Sequence, residues 1–225
     1  LMRRFRQTHD VWHALLGIGI AFVVGFVACT AFWPERLAVN TPVIGTFFGV
    51  DAPPQSEIER RMKVPAGFRV NLFADGIRNA RFLRVTPAGD VLVSSPREGA
   101  VFLLERDANG DGRADAVRKL VENLDRPHGL ELVGEWLYIA ETGALKRVRF
   151  DAATRAVSGA PETVLADLPV GGNHWTKSIG LGPDGWLYLS IGSTCNVCLE
   201  EEPRRATLAR LQPDGSGYET YATGL

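Results

Sequence analysis

Few residues in this chain have the type and spacing to do chemistry, and most of them sit after residue 100. His174 follows Gly171-Gly172-Asn173, so it belongs to a loop, where reactive groups concentrate. An unperturbed imidazole titrates near pH 6.5, which suits it to take a proton near neutrality. The alternative is a structural histidine bonded to backbone. Asp107, Asn109, Asp111 and Asp115 place oxygen donors at regular steps around Gly110 and Gly112. Hard oxygen ligands suit Ca²⁺, but the EF-hand position for a closing Glu is Arg118. The segment is either an EF-like metal loop inside a β-hairpin or an Asx-rich turn that satisfies its own backbone. Cys195 and Cys198 form one Cys-x-x-Cys. Leu199 follows in place of the His a haem attachment needs, and no second Cys pair completes a zinc site. A local disulfide in an oxidising compartment is the simplest reading, and two free thiols the alternative.

These groups need elements to hold them. From Lys63 onward, short apolar runs alternate with Gly, Pro and Asp turns, which reads as all-β. Three segments resemble one another: residues 87–94, 134–141 and 182–190, each a turn followed by an alternating strand. Their centres, Leu92, Leu137 and Leu187, recur at roughly 45–50 residues, the period of propeller blades. Flanking strands repeat with them. Ala80–Val85, Pro127–Leu132 and Ser178–Leu181 precede. Ala100–Glu105, Leu145–Phe150 and Thr207–Leu211 follow, then Ala116–Val121, Glu162–Ala166 and Tyr218–Ala222. Four antiparallel strands per unit, laid end to end, predict a β-propeller. Three blades do not close a ring, so the expectation is an N-terminal part of a larger protein, or a subunit that must assemble.

The N-terminal part differs. Ala14 to Trp33 runs for about 20 residues with Thr30 the only clearly polar side chain, enough to cross a bilayer as a helix. Arg3, Arg4 and Arg6 precede it, which predicts residues 1–13 in the cytoplasm and the rest outside. An uncleaved anchor is the first reading; a cleaved signal or a lipoprotein signal ending at Cys29 are the others. Residues 34–62 read as a linker, with a short helical stretch at Ser56–Met62, and 63–225 as the partial propeller. Composition agrees with a folded protein: 225 residues, 45% hydrophobic and 23% charged. The net charge of −1 gives no footprint for nucleic acid.

Several stretches in order carry a family resemblance. Val64-Pro-Ala-Gly-Phe-Arg opens the domain; residues 171–193 run GGNHWTKSIGLGPDGWLYLSIGS; then come Thr194-Cys-Asn-Val-Cys198 and Pro203-Arg-Arg-Ala-Thr207. From about Lys63 to Leu225 the chain resembles the glucose/sorbosone dehydrogenases, most closely the sorbosone-dehydrogenase-like branch. The resemblance implies a six-bladed propeller, of which about three blades are present, binding pyrroloquinoline quinone (PQQ) and Ca²⁺ and oxidising a sugar or aldose. It gives His174 the part of general base on the substrate hydroxyl. It gives Arg204 and Arg205 the cofactor's carboxylates, which a guanidinium fork can bind in bidentate fashion. His128, at the start of the second blade, would face the channel and the cofactor, and Asn173 and Lys177 would line the same mouth. The family's later cofactor contacts lie beyond Leu225. The whole reading is a quinoprotein dehydrogenase tethered to the bacterial inner membrane, its domain in the periplasm and its electron acceptor unspecified. A non-catalytic propeller that binds a ligand or partner is the alternative, since fold does not fix function.

Overall fold

The computed structural model describes residues 53–224. The apolar run Ala14–Trp33, Cys29 and most of the linker lie outside them. Among the described residues no helix is long and apolar enough to cross a membrane. The short helix expected at Ser56–Met62 is α1, Gln55–Arg61. Everything after it is strand and turn.

Twelve strands form three antiparallel sheets of four, each a simple meander in chain order. The first holds β1 (Leu83–Val85), β2 (Val91–Ser95), β3 (Ala100–Leu104) and β4 (Val117–Val121). The second holds β5 (Leu130–Val133), β6 (Trp136–Ala140), β7 (Leu145–Asp151) and β8 (Ala156–Leu165). The third holds β9 (Lys177–Leu181), β10 (Leu187–Ile191), β11 (Thr207–Leu211) and β12 (Glu219–Thr223). The leading strands β1 and β5 touch, as do β5 and β9, so they line the inner side. This is the blade arrangement of a β-propeller.

Side chains alternate across a strand, and here both faces of a middle strand are buried. In β6, Leu137 and Ile139 join a core with Leu92, Leu103 and Leu130 of the neighbouring strands. Tyr138 and Ala140, on the opposite face, join a second core with Ile179, Leu187, Leu189 and Leu211. Two-sided burial explains why the middle strands read as near-continuous apolar runs. A third cluster, around Val93, Ala100 and Phe102, is covered by Phe73 and Ile77 from the segment before β1.

Polar clasps fix how the sheets lie on one another. Glu131 of β5 is 2% exposed. It pairs with Arg84 of β1 and accepts the Leu181 N–H of β9 at 3.2 Å, joining three sheets through one carboxylate. The Tyr138 hydroxyl donates to the Pro213 carbonyl at 2.7 Å, linking the second and third sheets. Asp90, in the β1–β2 turn and fully buried, accepts Arg106 N–H at 2.9 Å and Arg155 Nε at 2.8 Å. Arg155 comes from the β7–β8 turn of the second sheet.

Burial alone would raise the Asp90 pKa, but the hydrogen bond from Arg155 and its charge outweigh it and hold the carboxyl below 3.8. The folded chain thus releases a proton that the unfolded chain keeps in that range. The stabilisation is complete above pH 3.8 and drains as pH falls through the lower folded value. We predict that Asp90→Ala lowers unfolding stability by about 2–3 kcal/mol at neutral pH. The difference from wild type should shrink as pH falls below 3.8. Denaturant titration across pH checks this; a pH-independent difference would contradict the ion-pair account.

Candidate functional site

The loops leading into β5 and β9 and the loops joining β2–β3, β6–β7 and β10–β11 open on one end of the sheets, because successive antiparallel strands return their turns to alternate ends. His128, His174, Arg204 and Arg205 all lie on these loops. The structure therefore brings the four candidates to one mouth.

His174 is exposed. Its Nδ1 lies 2.7 Å from Ser193 Oγ, and that hydroxyl sits 3.0 Å from the Cys195 carbonyl. A carbonyl only accepts, so the single Ser193 proton points to Cys195. The hydroxyl must then receive the His174 Nδ1–H. This puts the neutral imidazole in one tautomer and leaves Nε2 as a bare acceptor, the form a general base needs. Close packing holds the ring's backbone. A Cβ on Gly192 would lie 2.3 Å from the His174 carbonyl oxygen, and one on Gly172 would lie 2.9 Å from Thr194 Cα. Gly172 also has a φ of +75°, which other residues rarely take. Asn173, expected at the mouth, ties its N–H to the Thr194 carbonyl at 2.8 Å.

Two cations fasten the segment below. Lys177 is 2% exposed, and its Nζ donates to the Pro169 carbonyl at 2.9 Å and the Trp175 carbonyl at 3.3 Å. Burial, then the nearby Arg205 charge, brings its pKa down to about 8. Arg205 is itself buried and donates through one nitrogen to the Val170 and Gly171 carbonyls. Arg204 directs a fork at Glu202, with bonds of 2.9 and 3.2 Å, and a third bond of 2.9 Å to the Asp167 carbonyl. Both arginines that the resemblance gives to a cofactor thus hold the protein's own loop.

His128 is half-buried. Its Nδ1 lies 3.1 Å from the Lys177 carbonyl, so Nδ1 carries the proton and Nε2 is again bare. Burial first, and Arg81 as well, lower its pKa, so it is neutral at physiological pH. Its ring belongs to a row that the residue pattern did not reveal. Phe82, His128 and Trp175 each stand just before an inner strand, with ring centroids 6.0 Å and then 6.3 Å apart. The Arg126 guanidinium lies 3.6 Å from the Trp175 ring centroid.

Cys195 and Cys198 are joined as a disulfide with Cα atoms 5.9 Å apart. Glu200 closes the same loop by accepting Thr194 N–H at 2.6 Å and Thr194 Oγ1–H at 2.7 Å. The Asp107–Asp115 loop lies apart, between β3 and β4. Asp107 accepts from Gly110, Asp111 and Gly112 N–H groups, Asn109 from Asp111, Asp111 from Arg113 and Asp115 from Ala108. Each of the four side chains that the sequence offers to Ca²⁺ accepts at least one N–H of the loop's own backbone. Among the described residues no group of three or more His, Cys, Asp or Glu is arranged to hold a metal ion.

Residues 62–211 match the sequence model of the TrAA12-like family. The chain belongs to that family. Solved structures agree with this TrAA12-like assignment in fold. The holo pyranose dehydrogenase PQQ domain from Coprinopsis cinerea matches with a TM-score of 0.59 at 19% identity, over 68% of this chain and 38% of that one. A Trichoderma reesei protein of Carbohydrate-Active Enzymes Family AA12 gives 0.54 at 21%, over 65% of this chain and 38% of that one. The PQQ-bound aldose sugar dehydrogenase from Streptomyces coelicolor gives 0.51 at 22%, over 65% and 48%. The TrAA12-like chain thus spans less than half the length of these structures. No curated protein sequence matches it.

Ser193→Ala should release the His174 tautomer. Nitrogen-15 shifts of the imidazole are expected to move from a single Nδ1–H form to a mixture, while His128 keeps its shifts. Unchanged His174 shifts would remove Ser193 from the site.

Proposed function

We propose that this protein is the part of a quinoprotein sugar dehydrogenase that carries the base. The observation behind the reading is His174: an exposed imidazole with Nε2 bare, held by Ser193, at the mouth of a TrAA12-like propeller. The proposal takes the full ring to have six blades. It takes the substrate to be an aldose, with sorbosone-like compounds as the finer expectation.

The residues present fit PQQ in chemistry. The mouth offers a base, a neutral half-buried His128, an aromatic face at Trp175 and cationic groups. They do not fit Ca²⁺, since the described acidic side chains form no metal cluster. When bound, PQQ supplies a two-electron acceptor for the hydride leaving the sugar carbon. His174 Nε2 accepts the proton of the hydroxyl on that carbon. Ser193 and the Cys195 carbonyl steady the imidazolium by keeping the Nδ1–H bond as charge develops. Lys177 and Arg205 keep the 169–175 backbone fixed, so that little reorganisation accompanies proton transfer.

In protein containing the complete ring and loaded with PQQ, His174→Ala is predicted to cut kcat on an aldose by about 10²–10⁴-fold. PQQ retention should be unchanged. Turnover near wild type with an artificial electron acceptor would make His174 structural.

We further propose that the run Ala14–Trp33 tethers the domain to a bacterial inner membrane on the periplasmic side, on the strength of Arg3, Arg4 and Arg6 before it. A reporter fused after Leu225 is expected to be active only when exported. A reporter active only in the cytoplasm would reverse the topology.

A further inference from the structure

Arginine laid on a tryptophan recurs in this molecule. Arg147 and Arg149 stand 4.2 and 4.6 Å from the Trp136 ring centroid, and Arg210 stands 4.6 Å from that of Trp186. In each case the same guanidinium also bonds a carboxylate: Glu162 for Arg147, Glu135 for Arg149 and Glu219 for Arg210. The pattern is a layer of ring, fork and acid. It is chemically sensible, because the ring face holds the guanidinium plane while its edge N–H groups remain available to a carboxylate oxygen.

Arg126 makes the closest of these stacks, at 3.6 Å on Trp175, and among the described residues its guanidinium has no hydrogen bond and no ion pair. Its backbone is held at φ +49°, a region costly for a residue with a side chain, and such outliers cluster where function over-determines the backbone. The other edge of the site is defined too: the His128 ring meets Trp175 edge-on at 6.3 Å, and Trp175 is the residue after His174. The fork is therefore planar, exposed, and held on the residue that follows the base in sequence.

We propose that Arg126 is a carboxylate-binding residue of the mouth. Its guanidinium, stacked on Trp175, takes one carboxylate of a planar aromatic acid that lies beside His174. With the dehydrogenase reading, on which this identity of the ligand rests, the acid is the cofactor itself. Arg126 then does the work that the resemblance gives to Arg204 and Arg205, whose donors are committed to Glu202 and to loop carbonyls. Stacking lowers the entropy lost when the fork closes on its anion, which a lysine in the same place would not achieve.

The test uses the chain itself, with pyridine-2,6-dicarboxylate as probe and the corresponding dicarboxamide as neutral control. The readout is the Trp175 indole N–H resonance, identified with Trp175→Phe. The dicarboxylate is expected to shift it and the dicarboxamide to leave it unmoved. Arg126→Gln should weaken the dicarboxylate by about 10–100-fold, as the loss of a charge-assisted pair requires. Arg126→Lys should recover little of the loss. An absent shift, equal affinity in Arg126→Gln, or full affinity in Arg126→Lys would each overturn the proposal. PQQ, tested in protein containing the complete ring, separates the two readings. If PQQ binds that protein and its Arg126→Gln variant alike, the cofactor reading stands and Arg126 has no part in it. If PQQ binds neither while the dicarboxylate still depends on Arg126, the carboxylate site stands and the dehydrogenase reading falls.

Discussion

The middle strands β2, β3 and β6 are buried on both faces, and the rest of the structure depends on that. A lone four-stranded meander with two greasy faces has no way to hide them. Stacking sheets side by side removes both faces from water, at about 1.5–3 kcal/mol for each large aliphatic side chain fully buried. Leu137 and Tyr138 are adjacent in sequence yet belong to different cores. The second sheet cannot move against the first without also moving against the third.

Apolar packing is non-directional and leaves the sheets free to slide. The polar clasps supply direction. Glu131 between Arg84 and the Leu181 N–H, and Tyr138 on Pro213, are single-register contacts whose loss leaves buried polar groups unpaired. The inner strands are thereby set to a common height. That in turn brings the loops preceding β5 and β9 close enough for the His128 ring to bond the Lys177 carbonyl. The mouth is thus a product of sheet registration more than of any loop's own preference.

Period-two patterning and turn residues made the strands legible, and the repeat of Leu92, Leu137 and Leu187 falls within β2, β6 and β10. His174 was legible as a loop histidine, and the Cys-x-x-Cys as a local pair. Arg126, Ser193 and the buried state of Lys177 were not, because what defines them is contact across large separations. Arg126 meets Trp175 from the preceding repeat, and His174 meets Ser193 across a whole hairpin. Conversely, Arg204 and Arg205 looked free in sequence, since an arginine shows nothing of the neighbouring Glu202 or of carbonyls some 34 to 37 residues away that its donors engage. The acidic loop shows the same limit: spacing counts oxygen atoms but not the N–H groups they accept from, so it left the metal loop and the Asx-rich turn side by side.

Phe82, His128 and Trp175 form one row of rings, yet strand register makes Phe82 the counterpart of Gly129 and Ser178, not of the other two rings. His128 stands one residue, and Trp175 three residues, further back along the lead-in than Phe82 does. The row therefore crosses the repeats like a stair, each ring seated by a different stretch of lead-in backbone. Copying a blade would not carry a ring to the next step. Lengthening or shortening one lead-in would lift a single ring out of the row and leave the strand pairing and the cores between them untouched.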